Sequence, residues 1–133
     1  MSDARQLFLE KAVESLAGAE TEFASGRYNN CANRSYYSCF QAAIAALLQT
    51  GIHPSGAHAG WGHGFVQAQF VGLLINRRKQ YPVALRETLA RLLILRHTAD
   101  YSTEQVSQTQ ASRSLRRAQD FLEAIRVGGG EPE

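Results

Sequence analysis

The sequence predicts an all-α fold, an up-and-down bundle of four to five helices. Apolar residues recur at spacings of three and four through most of the chain, as one face of a helix requires. No run alternates polar and apolar residues between hairpin signals, so strands are not expected. Breaks at Ser25-Gly26, after Gly51, before Pro82 and before Ser107 cut the chain into helix-length pieces. At 133 residues the chain suits one domain with a core of its own. The expected domain is 1–127, followed by a disordered tail, 128–133, that reads G-G-G-E-P-E from Gly128.

The first helix is expected to start at a cap from Asp3 or Ser2 and to run to about Ala24. Its inward face would carry Leu7, Phe8, Ala12, Leu16, Ala19 and Phe23. Gly26 follows at the place where glycine ends helices, and so short a break predicts an antiparallel pair. The second helix spans the stretch up to Gly51. Its apolar arc (Tyr28, Cys31, Ala32, Tyr36, Cys39, Phe40, Ala43, Ile44, Leu47, Leu48) is wide enough for neighbours on several sides, so this helix should be central. A loop rich in glycine follows, and then a third helix from near Gly62 to about Asn76, with Phe65, Val66, Phe70, Leu73 and Leu74 inward. Pro82 fits the first turn of a fourth helix, which carries Leu85, Leu89, Leu92, Leu93 and Arg96 and ends near Asp100. Ser107 with Gln110 forms a capping box for the last helix, and Ser102 with Gln105 repeats the pattern as an alternative start. Ala111, Leu115, Ala118, Leu122 and Ile125 would face inward.

The totals exclude several classes. A net charge of +2 is too weak to argue for nucleic acid by itself. Cys31 and Cys39 are the only cysteines. On one helix they stand roughly 12 Å apart, too far for a disulfide, so they read as reduced core residues of a cytoplasmic protein. Charges interrupt the N-terminal apolar residues, unlike a secretory signal, and no apolar run reaches the ~20 residues of a membrane span. No P-loop, dinucleotide fingerprint, triad elbow or Glu-x-x-His pair appears, and no cofactor is implied.

Polar residues at helical spacing are the places where chemistry is expected. Arg27, Asn30, Arg34, Tyr37, Ser38 and Gln41 form a narrow stripe along the second helix. Arg96 and Asp100 share a face of the fourth helix with Leu89, Leu92 and Leu93; His97 and Tyr101 lie one step round. An arginine that continues an apolar stripe needs a carboxylate partner or an anion such as phosphate. His53, His58 and His63 recur every five residues in the glycine-rich loop. Imidazole suits zinc, nickel or copper, but such a loop lacks the fixed backbone and acidic support of a metal site, so none is expected. Trp61 either plugs the bundle end or stacks on a base. Arg77, Arg78 and Lys79, and Arg113, Arg116 and Arg117, are cationic clusters that would contact phosphates if RNA binds, and solvated surface if not.

Residues 32–43, A-N-R-S-Y-Y-S-C-F-Q-A-A, resemble the N/S-R-x-Y-Y-x-x-F-x-A-A signature of small prokaryotic HEPN proteins. The G-R-Y lead-in at 26–28, the R-x-x-A-D-Y ending at 96–101 and the A-x-x-x-L-x-x-A-x-x-F-L-x-A-I run at 111–125 match as well. The resemblance implies a symmetric homodimer with a polar groove built from the second and fourth helices of both copies. It implies, in toxin-like members, metal-independent RNA cleavage by an arginine and a histidine separated by four to six residues, with a minimal nucleotidyltransferase as antitoxin. Arg96 matches the motif arginine. After four intervening residues this chain has Tyr101, and Ser102 and Thr103 follow; His97 stands beside Arg96 at the wrong spacing. A tyrosine, with a pKa near 10, is a poor base where an imidazole is a good one.

Two readings follow. In one, the chain is a nucleotide- or RNA-binding toxin-like component. Arg96, His97 and Tyr101 are then the candidate catalytic residues, and Arg34, Asn33, Tyr37 and Asp100 line the groove. In the other, it is a non-catalytic dimeric module that binds a nucleotidyltransferase-like protein, and the same polar residues fix the packing register.

Overall fold

A computed structural model describes residues 3–55 and 60–128. Five α-helices account for most of them: α1 (Ala4–Ala24), α2 (Tyr28–Gln49), α3 (His63–Gln69), α4 (Thr88–Tyr101) and α5 (Gln108–Gly128). No strand occurs among the described residues, so the all-α prediction holds. The predicted tail lies, from residue 129, outside them.

The helix ends follow backbone physics. At the end of α1, Gly26 takes φ 78°. There the Gly26 and Arg27 N–H groups bond back to the carbonyls of Phe23 (3.0 Å) and Glu22 (2.8 Å), satisfying two orphan acceptors. Gly51 repeats this after α2 with φ 83°, and Ile52 N–H reaches Leu47 O at 2.9 Å. The expected cap on α1 is not made: Asp3 contributes its backbone carbonyl to Leu7 N–H, and its side chain makes no capping bond. Ser2 lies outside the described residues. The α5 capping box forms as predicted, at Ser107 rather than Ser102. Ser107 Oγ accepts from Gln110 N–H at 3.1 Å, and Gln110 Oε1 accepts from Ser107 N–H at 2.9 Å. Ser107→Ala is expected to cost about 1 kcal/mol. Thermal unfolding should show a midpoint lower by several degrees, and an unchanged midpoint would deny the cap its role.

The central position expected of α2 is observed. Cys31, Ala32, Ser35, Tyr36, Ser38, Cys39 and the whole run 42–47 are buried. α1 packs antiparallel to it: Arg5 Nε donates to Gln49 Oε1 at one end (2.7 Å), and Ser15 Oγ meets Gln41 Oε1 nearer the middle (2.8 Å). Leu7 departs from its inward assignment. It is 58% exposed, and Leu9 and Ser15 are buried instead, because α1 presents the 9-12-15-19 stripe to its neighbours.

Two further departures concern the third and fourth helices. α3 does not continue as regular α-helix; from Phe70–Arg77 the chain is π-helical, with Arg78 N–H bonding to Leu73 O, five residues back, at 2.8 Å. The wider turn keeps Phe70, Leu74 and Ile75 all in the core. Lys79 then adopts φ 53° and turns the chain. Pro82 precedes a short 3₁₀ turn (Val83–Leu85) rather than the first turn of α4. Leu85 is therefore buried from that turn, while Leu89 and Leu92 are buried from α4 and Leu93 only partly. Trp61 packs its edge against Phe8 (6.4 Å) and Phe65 (6.0 Å), the bundle-end plug of the two roles foreseen for it. Cys31 and Cys39 are free and buried, and burial raises both thiols above their ordinary range. No helix among the described residues is long and apolar enough to cross a membrane.

Candidate functional site

The α2/α4 seam gathers the polar residues that helical spacing had set apart. From α2, Asn33 Nδ2 donates to both carboxylate oxygens of Asp100 on α4, at 3.2 and 3.0 Å. The Asn33 amide oxygen accepts from Arg34 Nε (2.9 Å) and Nη2 (2.6 Å). From α4, Arg96 Nη1 donates to the Tyr37 hydroxyl. Both guanidinium groups lie over the Tyr37 ring, Arg34 Cζ at 5.1 Å from its centroid and Arg96 Cζ at 5.4 Å. Arg96 Nε stands 3.8 Å from Asp100 Oδ2, an ion pair without a hydrogen bond. The residues thus close a ring: Arg34, Asn33, Asp100, Arg96 and Tyr37.

Arg96 is the most enclosed charge in it. Its guanidinium borders the rings of Tyr36 (5.4 Å), Tyr37 and Tyr101 (6.0 Å). Nε is buried and has no hydrogen-bond partner among the described residues. Aromatic faces attract a cation and keep water away, so the positive charge is held without being neutralised by a short carboxylate contact. Such a group can hold an anion, a carboxylate or a phosphate, which a guanidinium fork can grip.

The sequence-predicted residues divide accordingly. Arg34, Asn33, Tyr37, Arg96 and Asp100 meet at the seam. Tyr101 is 76% exposed and covers Arg96 from outside, with His97 set edge-on to its ring at 5.8 Å. The polar stripe of α2 does not remain one face. Ser38 Oγ donates to Ala12 O (2.8 Å), and Gln41 meets Ser15, so both serve the α1 contact. Arg27 pairs with Glu22 at the α1–α2 turn. Arg77, Arg78 and Lys79 are exposed, and no hydrogen bond or ring contact among the described residues joins them to the seam. Two open clefts also lie elsewhere: one of about 470 Å³ between α1 and Arg126 of α5, and one of about 620 Å³ along α1 and α2 that reaches Arg34 alone of the ring.

His63 ends the glycine-rich loop and stands where the third helix was expected to start, near Gly62; that start is observed, and the backbone there is fixed, unlike the loop expected around the histidines. His63 opens α3, where Val66 N–H bonds back to Gly62 O at 3.0 Å. Its Nδ1 lies 2.9 Å from the Tyr36 hydroxyl, and the two rings tilt together at 5.9 Å. Burial first, then the positive charge of Arg96 and His97, holds its pKa below the ordinary value. Burial pushes the Tyr36 phenol up to about 12, so it keeps its proton at neutral pH. Helical periodicity cannot link position 63 to position 36, and W-G-H-G carries no other signal of the contact. His53 is exposed, and His58 lies outside the described residues.

A helical bundle whose central helix and fourth helix share an arginine-rich polar seam is the class defined by these features. A family model described as HEPN domain matches residues 6–127, and the chain belongs to that family. The chain is 27% identical over 125 residues to a candidate toxin of Methanocaldococcus jannaschii, covering 91% of this chain and 85% of the relative. It is 29% identical over 124 residues to a UPF0332 protein of Archaeoglobus fulgidus, covering 91% of each.

Proposed function

We propose that this protein is a toxin-like HEPN component that binds RNA at the Arg96 seam, acts as a homodimer, and is held in check by a nucleotidyltransferase-type antitoxin. The observation that carries this reading is the state of Arg96: enclosed by three tyrosine rings, with a buried N–H that no acceptor among the described residues takes up. A phosphodiester supplies such an acceptor, and Arg34 adds a second positive charge across Tyr37. The relative that is a candidate toxin supports the toxin-like part.

The homodimer has support in the outer face of α4. Ile94 is 69% exposed, and it recurs with His97 and Tyr101 at helical spacing beside the seam. Ile94 and Tyr101, both exposed and two turns apart on α4 with His97 between them, offer a face on which a second copy would bring two seams together.

The test is titration of the purified protein with labelled single-stranded RNA at several salt concentrations, with light scattering of the same samples. Binding that weakens steadily as salt rises is expected, because phosphate contacts release counterions. Absence of binding at low salt would overturn the RNA reading. It would leave the alternative, a partner module whose polar ring only fixes packing.

A further inference from the structure

We propose that His63 is the catalytic base of the Arg96 site, delivered from α3 in place of the imidazole that α4 does not supply at Tyr101. This rests on the RNA reading and on the cleavage that the family resemblance implies, and what it adds is the proton acceptor. Three observations meet at the Tyr36 ring. It faces the His63 imidazole at 5.9 Å, the Arg96 guanidinium sits 5.4 Å from its centroid, and its hydroxyl is 2.9 Å from His63 Nδ1. One phenol therefore braces both the group that would hold a phosphate and a group that can take a proton. The imidazole is anchored through Nδ1, and Nε2 has no hydrogen-bond partner among the described residues.

The protonation states suit a base. The Tyr36 contact is compatible with either tautomer, and the proposal requires the one with hydrogen on Nδ1, donated to the Tyr36 oxygen, so that Nε2 carries the lone pair. The cationic and titratable groups that act on His63 from α4 are Arg96 and His97, while α2 contributes the Tyr36 phenol. Burial first, and then both α4 groups, disfavour an imidazolium, so His63 is neutral at pH 7. His97 does not replace it. It is exposed on the outer side of α4 against Tyr101.

In the step assigned here, Nε2 takes the proton of a ribose 2′-hydroxyl. The 2′-oxygen forms a bond to the adjacent phosphorus, and the bond from phosphorus to the 5′-oxygen breaks. The 5′-oxygen takes a proton from water, and the hydroxide left is neutralised by the proton returned from Nε2. The products are a 2′,3′-cyclic phosphate and a 5′-hydroxyl, with no metal or redox partner in the balance. Arg96 stabilises the charge on the phosphorane.

The experiment compares wild type, His63→Asn and His53→Asn on a single-stranded oligoribonucleotide, with binding followed on its 2′-O-methyl analogue. His63→Asn should bind with the wild-type affinity and lose about 100-fold or more in cleavage at pH 7. His53→Asn, altered at an exposed loop position, should cleave normally. The kcat/KM of wild type should fall tenfold per pH unit below an apparent pKa under 6.5, and that limb should vanish in His63→Asn. Added imidazole should restore part of the activity of His63→Ala, which a purely structural role would not allow. Cleavage by His63→Asn at the wild-type rate would overturn the proposal while leaving the RNA reading intact. A wild-type protein that binds the analogue but leaves RNA whole would overturn it too. One that binds neither ligand would remove the RNA reading first.

Discussion

Arg96→Ala is expected to abolish the RNA binding and cleavage proposed for the seam while leaving a folded helical bundle. The effect should be large because the guanidinium sits where its charge is least screened, among Tyr36, Tyr37 and Tyr101. Removing a preorganised donor that stabilises transition-state charge lowers rates by about 100- to 1,000-fold in well-studied cases. Binding should weaken as well, and its salt dependence should flatten by about one phosphate contact. Arg96→Lys distinguishes charge from geometry. An ammonium keeps the charge but loses the fork that reaches Tyr37 and a phosphate together, so it should recover binding better than rate. The folded state must be checked by circular dichroism, since truncation also leaves Asp100 with Asn33 alone. Unchanged RNA binding and cleavage in a folded Arg96→Ala protein would show that the seam is only structural.

How far the seam was legible depends on the kind of spacing involved. Arg96 and Asp100 are four residues apart on one helix, and Asn33, Arg34 and Tyr37 fall within one and a half turns of another. Helical geometry alone groups each set, and burial cost demands partners for them. The carboxylate partner that a buried arginine needs is Asp100, which Arg96 meets at 3.8 Å. Arg34 does not touch Asp100 directly; Asn33 stands between them and satisfies both, since an amide donates and accepts at once. The stripe of α2 was read too broadly for a related reason. Ser38 and Gln41 continue the spacing but have turned far enough round the helix to face α1.

His63 was not legible, and the reason is physical. Its contact with Tyr36 spans a loop whose path no periodicity encodes, so a histidine between glycines looks unconstrained. The same limit applies to the π-helical stretch and the 3₁₀ turn near Pro82. Apolar spacing fixes which residues go inward, and Phe70, Leu74, Leu85 and Leu89 all do. It does not fix whether the backbone between them winds by four residues or five. Leu7 marks the converse case. An apolar residue at an acceptable spacing stays exposed, because burial of the neighbouring Leu9 stripe already satisfies that end of α1.

The second large effect is expected at Phe70, where α3 passes into its π-helical continuation. Its ring is fully buried, stacks on Tyr81 at 5.4 Å and tilts against Phe121 of α5 at 5.2 Å. It therefore joins three separate parts of the chain: the π-helical stretch, the segment before Pro82, and the last helix. Phe70→Ala removes the shared ring and leaves a cavity that helices fixed at both sides cannot readily close, at a cost of about 3–5 kcal/mol. For a domain of this size the midpoint of thermal unfolding should fall by at least about 10 °C. Phe70→Leu keeps most of the volume and should lose well under half as much. Because α3 carries His63 at its first turn, loosening its far end should also disturb the Tyr36 contact. The Phe70→Leu protein is then expected to bind RNA normally yet cleave it more slowly, with the acid limb of its pH profile moved toward the value of an unconstrained histidine. A Phe70→Ala protein that unfolds at the wild-type temperature would mean that α3 is not anchored through this ring. The positioning of His63 would then have to come from the Tyr36 bond alone.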